Sequence, residues 1–175
     1  EGTEDWNLRK LISIFQQVCS TIAFAHAQNI IHRDLKPANI MVGEFGEVLV
    51  VDWGLAKIIQ STTNTLKSSS LIAVPPSNLM TMWGTVQGTP AYMSPEQAKG
   101  ESLDERSDVY ALGSILFEIL SGRPPFVKDP KKKEHASNIL EKVINDEPPF
   151  TEVNSNTKNP VPTEMIDICK LSMIK

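Results

Sequence analysis

Cysteine is nearly missing from this chain: 175 residues hold two, Cys19 and Cys169. They lie far apart in sequence, each in an apolar helical pattern, so they read as reduced core thiols rather than as a disulfide framework or a cysteine metal site. No apolar run approaches the roughly 20 residues that cross a bilayer, and no signal peptide precedes the first helical pattern. That leaves open a membrane anchor elsewhere in a longer protein. There is no excess of positive charge either. Lys and Arg number 17 against 21 Asp and Glu, a net charge of −4, which gives no reason to propose nucleic acid or an anionic membrane as a partner. With 41% hydrophobic and 22% charged residues, the chain is globular in character and long enough to bury one core.

What is present centres on Ile31-His32-Arg33-Asp34-Leu35-Lys36-Pro37-Ala38-Asn39-Ile40-Met41-Val42, followed after a short hairpin by Val50-Val51-Asp52-Trp53-Gly54-Leu55-Ala56. Asp34 is an acceptor able to take a proton from an attacking hydroxyl, provided the two come within hydrogen-bond reach. Lys36 offers a compact positive charge for a transferring phosphoryl group, where charge accumulates in the transition state. Asn39 and Asp52 supply oxygen, the ligand that hard cations such as Mg²⁺ take, usually through one or two carboxylates plus substrate phosphates. Each residue alone is ordinary. An Asp before Leu-Lys-Pro is commonly a turn residue, and an Asn before an apolar run is commonly a cap.

The order His32-Arg33-Asp34-Leu35, then Asn39, then Asp52-x-Gly54 thirteen residues later, resembles the catalytic-loop and metal-loop signatures of eukaryotic-type protein kinases. The resemblance runs from about Trp6 to the last residue. It implies Asp34 as catalytic base, Lys36 as the phosphate-contacting lysine, and Asn39 and Asp52 as Mg²⁺ ligands beside ATP. Lys36 two residues after Asp34 is the serine/threonine pattern, so the implied substrate is a protein Ser or Thr. Met41 is implied as the apolar floor beneath the adenine ring, an ordinary core methionine being the alternative. His32 is implied to pack toward Trp53, which replaces the usual Phe. Gly88 to Glu96, together with Asp52-Trp53-Gly54, is similar to bacterial members of the family.

The same resemblance implies that residues 1–175 are part of a kinase domain: a mainly α-helical large lobe with a short β hairpin. Its catalytic loop would span 31–42, its metal loop 52–54, its activation segment 52–96 and its central helix about 104–121. No Gly-rich phosphate loop or Val-Ala-Ile-Lys strand precedes Asp34, so the smaller lobe is expected outside these residues and the isolated chain is expected to be inactive. The expected location is cytoplasmic, with a parent protein that can be membrane-anchored outside these residues. Thr85 occupies the position of an activating phosphate, which would pair with Arg33. Thr89 is expected to hydrogen-bond toward Asp34 and Lys36. Glu96 is expected to need an arginine that these residues do not contain, and the C-terminal edge is therefore expected to fray. Asp108 is expected to hold the catalytic-loop backbone.

Periodicity supplies the frame. Leu8, Leu11, Ile12, Phe15, Val18, Cys19 and Ile22 recur at three- and four-residue spacing, predicting a helix of about twenty residues with Thr3 or Asp5 as cap and Asn29 as left-handed stop. His26, near its end, reads as a surface or capping residue. Ile30–Ile31, Ile40 to Val42 and Glu47 to Val51 read as short strands. Residues 60–82 read as a long mobile loop rich in Ser and Thr. Lys131-Lys132-Lys133 reads as a solvated approach to a helix, with attraction of acidic substrates as the alternative. A helix around Ile139, Val143 and Ile144 and a last one over 163–173, capped by Thr163, complete the pattern. Two rival readings keep the same residues: a scaffold with the kinase fold but no turnover, and a small-molecule phosphotransferase of related fold.

Overall fold

A computed structural model describes residues 7–58, 90–128, 134–153 and 161–174. Helix α1 (Leu8–Ala27) begins at Asn7, whose side chain accepts a hydrogen bond from the Lys10 amide at 2.9 Å. That bond satisfies one of the free N–H groups of the first turn. Thr3 and Asp5, the caps expected from sequence, lie outside the described residues. The helix stops as anticipated at Asn29, which takes a left-handed φ of 58°. Its inner face buries Val18, Ile22 and Ala25.

Two small antiparallel pairs follow. Strand β2 (Ile40–Val42) pairs with β3 (Val48–Val50), with Met41 opposite Leu49. Strand β1 (Ile30–Ile31) pairs with β4 (Lys57–Ile58), Ile30 opposite Ile58. The first pair matches the expected hairpin to within a residue at each end of its second strand. The second pair was not foreseen, because two residues carry no periodicity and the partners lie far apart in sequence.

Beyond the undescribed stretch 59–89, the short helix α2 (Pro95–Lys99) is capped by Ser94 and ended by Gly100 in the left-handed region. Helix α3 (Glu105–Ser121) is the centre of the molecule. It is capped by Asp104, whose carboxylate accepts from the Arg106 amide, and it stops at Gly122 with φ 78°. One side packs with Val18, Ile22, Leu35 and Val50 through Ala111 and Ile115. Another packs Tyr110, Phe117 and Leu120 against Val153, Ile166, Cys169 and Met173. A helix buried on several sides must be apolar on several sides, which is how its sequence reads. Gly113 permits the close crossing of the last helix: a Cβ there would run into Ser172 and Met173.

Helix α4 (Ala136–Asn145) buries Ile139 and Val143 against Ala91, Phe126 and Val127. Helix α5 (Thr163–Ser172) lies against α3. Thr163 is its first residue rather than its cap. Pro162 holds the cap position without a side-chain bond, so the hydroxyl lies one residue too far along to play the expected part. On the inner side of α5 Cys169 is buried and its thiol donates to the Gly113 carbonyl at 3.3 Å, and Met173, just past the helix, is buried as well. Cys19 is half-buried, and both cysteines are free. Among the described residues no helix is long and apolar enough to cross a membrane.

Phe117 is fully buried, with its ring 6.1 Å from that of Phe150. Replacing Phe117 by Ala is expected to cost about 3–5 kcal/mol, the usual range for removing a buried aromatic ring. Urea unfolding checks this, and an unchanged midpoint would show that the α3 core is not packed as described.

Candidate active site

The catalytic loop leaves β1 at His32 and turns sharply at Arg33, whose φ of 72° is in the left-handed region. A non-glycine residue keeps that conformation only where its surroundings enforce it. Asp108, on the first turn of α3, does much of the enforcing. Its Oδ2 accepts from the His32 amide at 2.8 Å and its Oδ1 accepts from the Arg33 amide at 2.9 Å. Asp108 is 2% exposed, and a buried carboxylate is tolerated only when its oxygens are hydrogen-bonded. A third partner completes the arrangement: His26 Nε2 lies 2.8 Å from Asp108 Oδ2. His26 is therefore an internal ligand of Asp108, not the surface or capping residue expected from its place near the end of α1. Its partner is 82 residues away, out of reach of any local pattern.

Beyond the turn, three of the expected residues meet. Lys36 Nζ is 2.7 Å from Asp34 Oδ2. Asn39 Nδ2 donates to the Asp34 carbonyl at 2.7 Å and sits 3.3 Å from Asp34 Oδ2. The Asn39 amide nitrogen is thereby committed to Asp34, which leaves Oδ1 as the oxygen that can face outward. Asp52 is brought close by backbone pairing, since the Val51 amide donates to the Asn39 carbonyl at 2.9 Å. Asp52 itself takes a left-handed φ of 65°, is exposed, and opens the 3₁₀ turn Trp53–Leu55. Among the described residues no hydrogen bond or ion pair joins its carboxylate to the other three side chains.

Trp53 fills the Phe position of the motif. Its indole N–H donates to the Val50 carbonyl at 2.9 Å, and its ring centroid is 4.6 Å from that of His32. His32 is fully buried and its Nε2 lies 3.0 Å from the Val51 carbonyl. The two rings brace the turn at 53–55 against the loop that begins at His32. Met41 is 57% exposed, as is Leu49 opposite it, so Met41 is not a core residue and presents an apolar surface beside the site.

The donor set suits a hard cation. It consists of one carboxylate and one amide oxygen, and Mg²⁺ ordinarily takes its remaining ligands from water and phosphate. Among the described residues no three His, Cys, Asp or Glu side chains form a self-sufficient metal cage. Asn39 and Asp52 are the residues that would hold the ion.

Around this site, Glu96 accepts a hydrogen bond from the Ser107 hydroxyl at 2.7 Å. Tyr92 donates from its hydroxyl to Glu118 at 2.6 Å. Burial pushes the Tyr92 hydroxyl well above its ordinary range, and the Glu118 carboxylate beside it pushes the same way. Burial also holds the Glu118 carboxyl high, opposed by the Tyr92 hydrogen bond. Burial raises the Cys169 thiol to about 12, which makes it inert at neutral pH. The expected regulatory residues Thr85 and Thr89 lie outside the described residues, as do the loop 60–82 and Lys131 to Lys133.

Two measurements follow from this geometry. Replacing Asp108 by Asn turns one acceptor oxygen into a donor facing an N–H group. The loss is expected to be about 1–3 kcal/mol for the amide left unpaired, read by urea unfolding, and unchanged stability would remove Asp108 from its supporting role. For Glu118, a raised folded-state pKa means that the folded chain holds the proton more tightly than the unfolded chain. Its stabilising effect is complete below the ordinary Glu range and is lost as pH rises through the folded value. Replacing Glu118 by Gln is expected to flatten the decline in melting temperature across that window, and an unaltered pH profile would contradict the shift.

Comparison with known proteins shows the family. Residues 4–174 match the family described as protein kinase domain. Serine/threonine-protein kinase PknB of Mycolicibacterium smegmatis is 44% identical over 121 residues, which is 69% of this chain and 17% of that protein. PknD of Protochlamydia amoebophila, also a serine/threonine-protein kinase, is 44% identical over 117 residues, 66% of this chain and 12% of the relative. PknD of Chlamydia abortus is 40% identical over 139 residues, 78% of this chain and 15% of the relative. The chain thus spans under a fifth of the length of these curated relatives. Family match, bacterial serine/threonine-kinase relatives and a helical lobe with small antiparallel pairs lead to one conclusion: the chain belongs to the protein kinase family.

Proposed function

We propose that the protein carrying this chain transfers the γ-phosphoryl group of ATP to Ser or Thr hydroxyls of protein substrates. The observation that supports it most directly is the contact of Asp34 with both Lys36 and Asn39. In this reading the Asp34 carboxylate accepts the proton from the substrate hydroxyl as its oxygen bonds to the γ-phosphorus and the bond to the ADP leaving group breaks. Lys36, 2.7 Å from that carboxylate, holds positive charge against the transferring group. Asn39 Oδ1 and the Asp52 carboxylate would hold Mg²⁺, which when bound would neutralise charge on the phosphate oxygens. The exposed side chain of Met41 would form the apolar floor beneath the adenine ring. Arg33, at the left-handed turn, would pair with a phosphate on Thr85, and Thr89 would hydrogen-bond toward Asp34 and Lys36. Glu96 anchors the end of the activation segment.

Against the scaffold reading stands the full set Asp34, Lys36, Asn39 and Asp52, the first three of which are in contact. The proposal keeps the catalytic domain in the cytoplasm, where ATP is, with any membrane anchor outside these residues. It invokes no nucleic acid.

In the full-length protein, Asp34→Asn is expected to lower kcat by about a thousandfold or more while leaving ATP affinity nearly unchanged, in line with loss of a positioned general base. A radiolabelled phosphate-transfer assay with parallel nucleotide titration reads both, and retained turnover would remove Asp34 from the mechanism. In the same assay Thr85→Ala is expected to leave a low basal rate that prior autophosphorylation no longer raises. Activation equal to that of the unsubstituted protein would dismiss the Thr85 phosphate.

A further inference from the structure

Ser94-Pro95-Glu96-Gln97 has the form of a capping box, in which the cap hydroxyl bonds the third helical amide and the third side chain turns back to the cap. Half of the box forms: Ser94 Oγ accepts from the Gln97 amide at 3.3 Å. The other half does not. Gln97 Nε2 instead donates to the Arg33 carbonyl at 2.6 Å, 64 residues away.

That carbonyl belongs to the peptide joining Arg33 to Asp34. The nitrogen of the same peptide, the Asp34 amide, donates to His32 Nδ1 at 3.3 Å. Its plane is thus held at oxygen by α2 and at nitrogen by the buried His32 ring. On the other side of Arg33, the preceding amide is held by Asp108 Oδ1. The left-handed Arg33 backbone is pinned before and after its α-carbon, and the second pin sets the direction in which Asp34 leaves the chain. We infer that Gln97 is a positioning residue for phosphoryl transfer, holding the Arg33–Asp34 peptide so that the Asp34 carboxylate faces the substrate hydroxyl. The inference rests on the function proposed above and adds to it a residue on a separate element that the catalytic signature does not contain.

A packing role and a hydrogen-bonding role predict opposite orders of damage. Gln97→Glu keeps the length of the side chain and suits the first turn of a helix, where the dipole favours an acid, but it sets an acceptor against the Arg33 carbonyl. Gln97→Ala removes the bulk and lets water donate to that carbonyl. In the full-length protein, Gln97→Glu is expected to lower kcat about tenfold, the effect of roughly one hydrogen bond, with KM for ATP unchanged and a smaller loss for Gln97→Ala. Hydrogen exchange by mass spectrometry on peptides spanning Asp34 is expected to quicken most in Gln97→Glu, with the melting temperature held. Unchanged exchange at Asp34 in Gln97→Glu, or Ala more damaging than Glu, would overturn the inference. If the unsubstituted full-length protein transfers no phosphate, the functional reading fails and the inference falls with it. That result is distinct from a failure confined to Gln97, in which the unsubstituted protein remains active.

Discussion

One buried carboxylate carries much of this architecture. Asp108 sits on the helix at the centre of the fold and spends its oxygens on two consecutive backbone amides of the catalytic loop, with His26 as a third partner. The cost of burying that charge is met by these bonds, and each bond fixes something in turn. The His32 amide sets where the loop leaves β1, and the Arg33 amide enforces a turn that a non-glycine residue would otherwise avoid. His26 ties α1 into the same point. A rigid core helix and a functional loop are thereby made one body.

The residues that follow the turn are placed by short-range chemistry. Lys36 and Asn39 reach back to Asp34 across two and five positions, distances a 3₁₀ turn closes easily. Asp52 arrives by strand pairing, because β3 runs beside β2 and hands the chain on at Val51. The His32 and Trp53 rings pack between the two loops. Substituting Trp for the usual Phe keeps the ring and adds an N–H group, and the Val50 carbonyl satisfies it. A larger aromatic residue is therefore accommodated without a stranded donor.

Legibility from sequence tracked the range of the interaction. Asp34, Lys36 and Asn39 sit in one short motif, and its resemblance to the kinase catalytic loop implied that they share a site. Helix α1 was readable from apolar spacing and its stop at Asn29, and α3 from the central helix that the resemblance implied. Misplacement occurred where a local signal had several equivalent candidates, as with Thr163, one residue past its helix cap. His26 was misjudged for a different reason: a lone histidine near a helix end carries no mark of a partner on another helix. Gln97 was missed because its local motif suggests a capping box, while its side chain is used elsewhere.

The order of residues by itself determined the family, the mainly helical fold, and which side chains are candidates for base and metal-ligand chemistry. Those properties depend on residue type and on spacings of a few positions, which covalent geometry translates directly into proximity. Only the tertiary structure decided how the site is held. The hold of Asp108 on the loop backbone was expected from the resemblance, but the bonds of His26 and Gln97 to their partners, and the pairing of β1 with β4, join segments far apart in sequence with no such signal. Contacts of that kind arise from packing around α3, and no periodicity in the chain announces them.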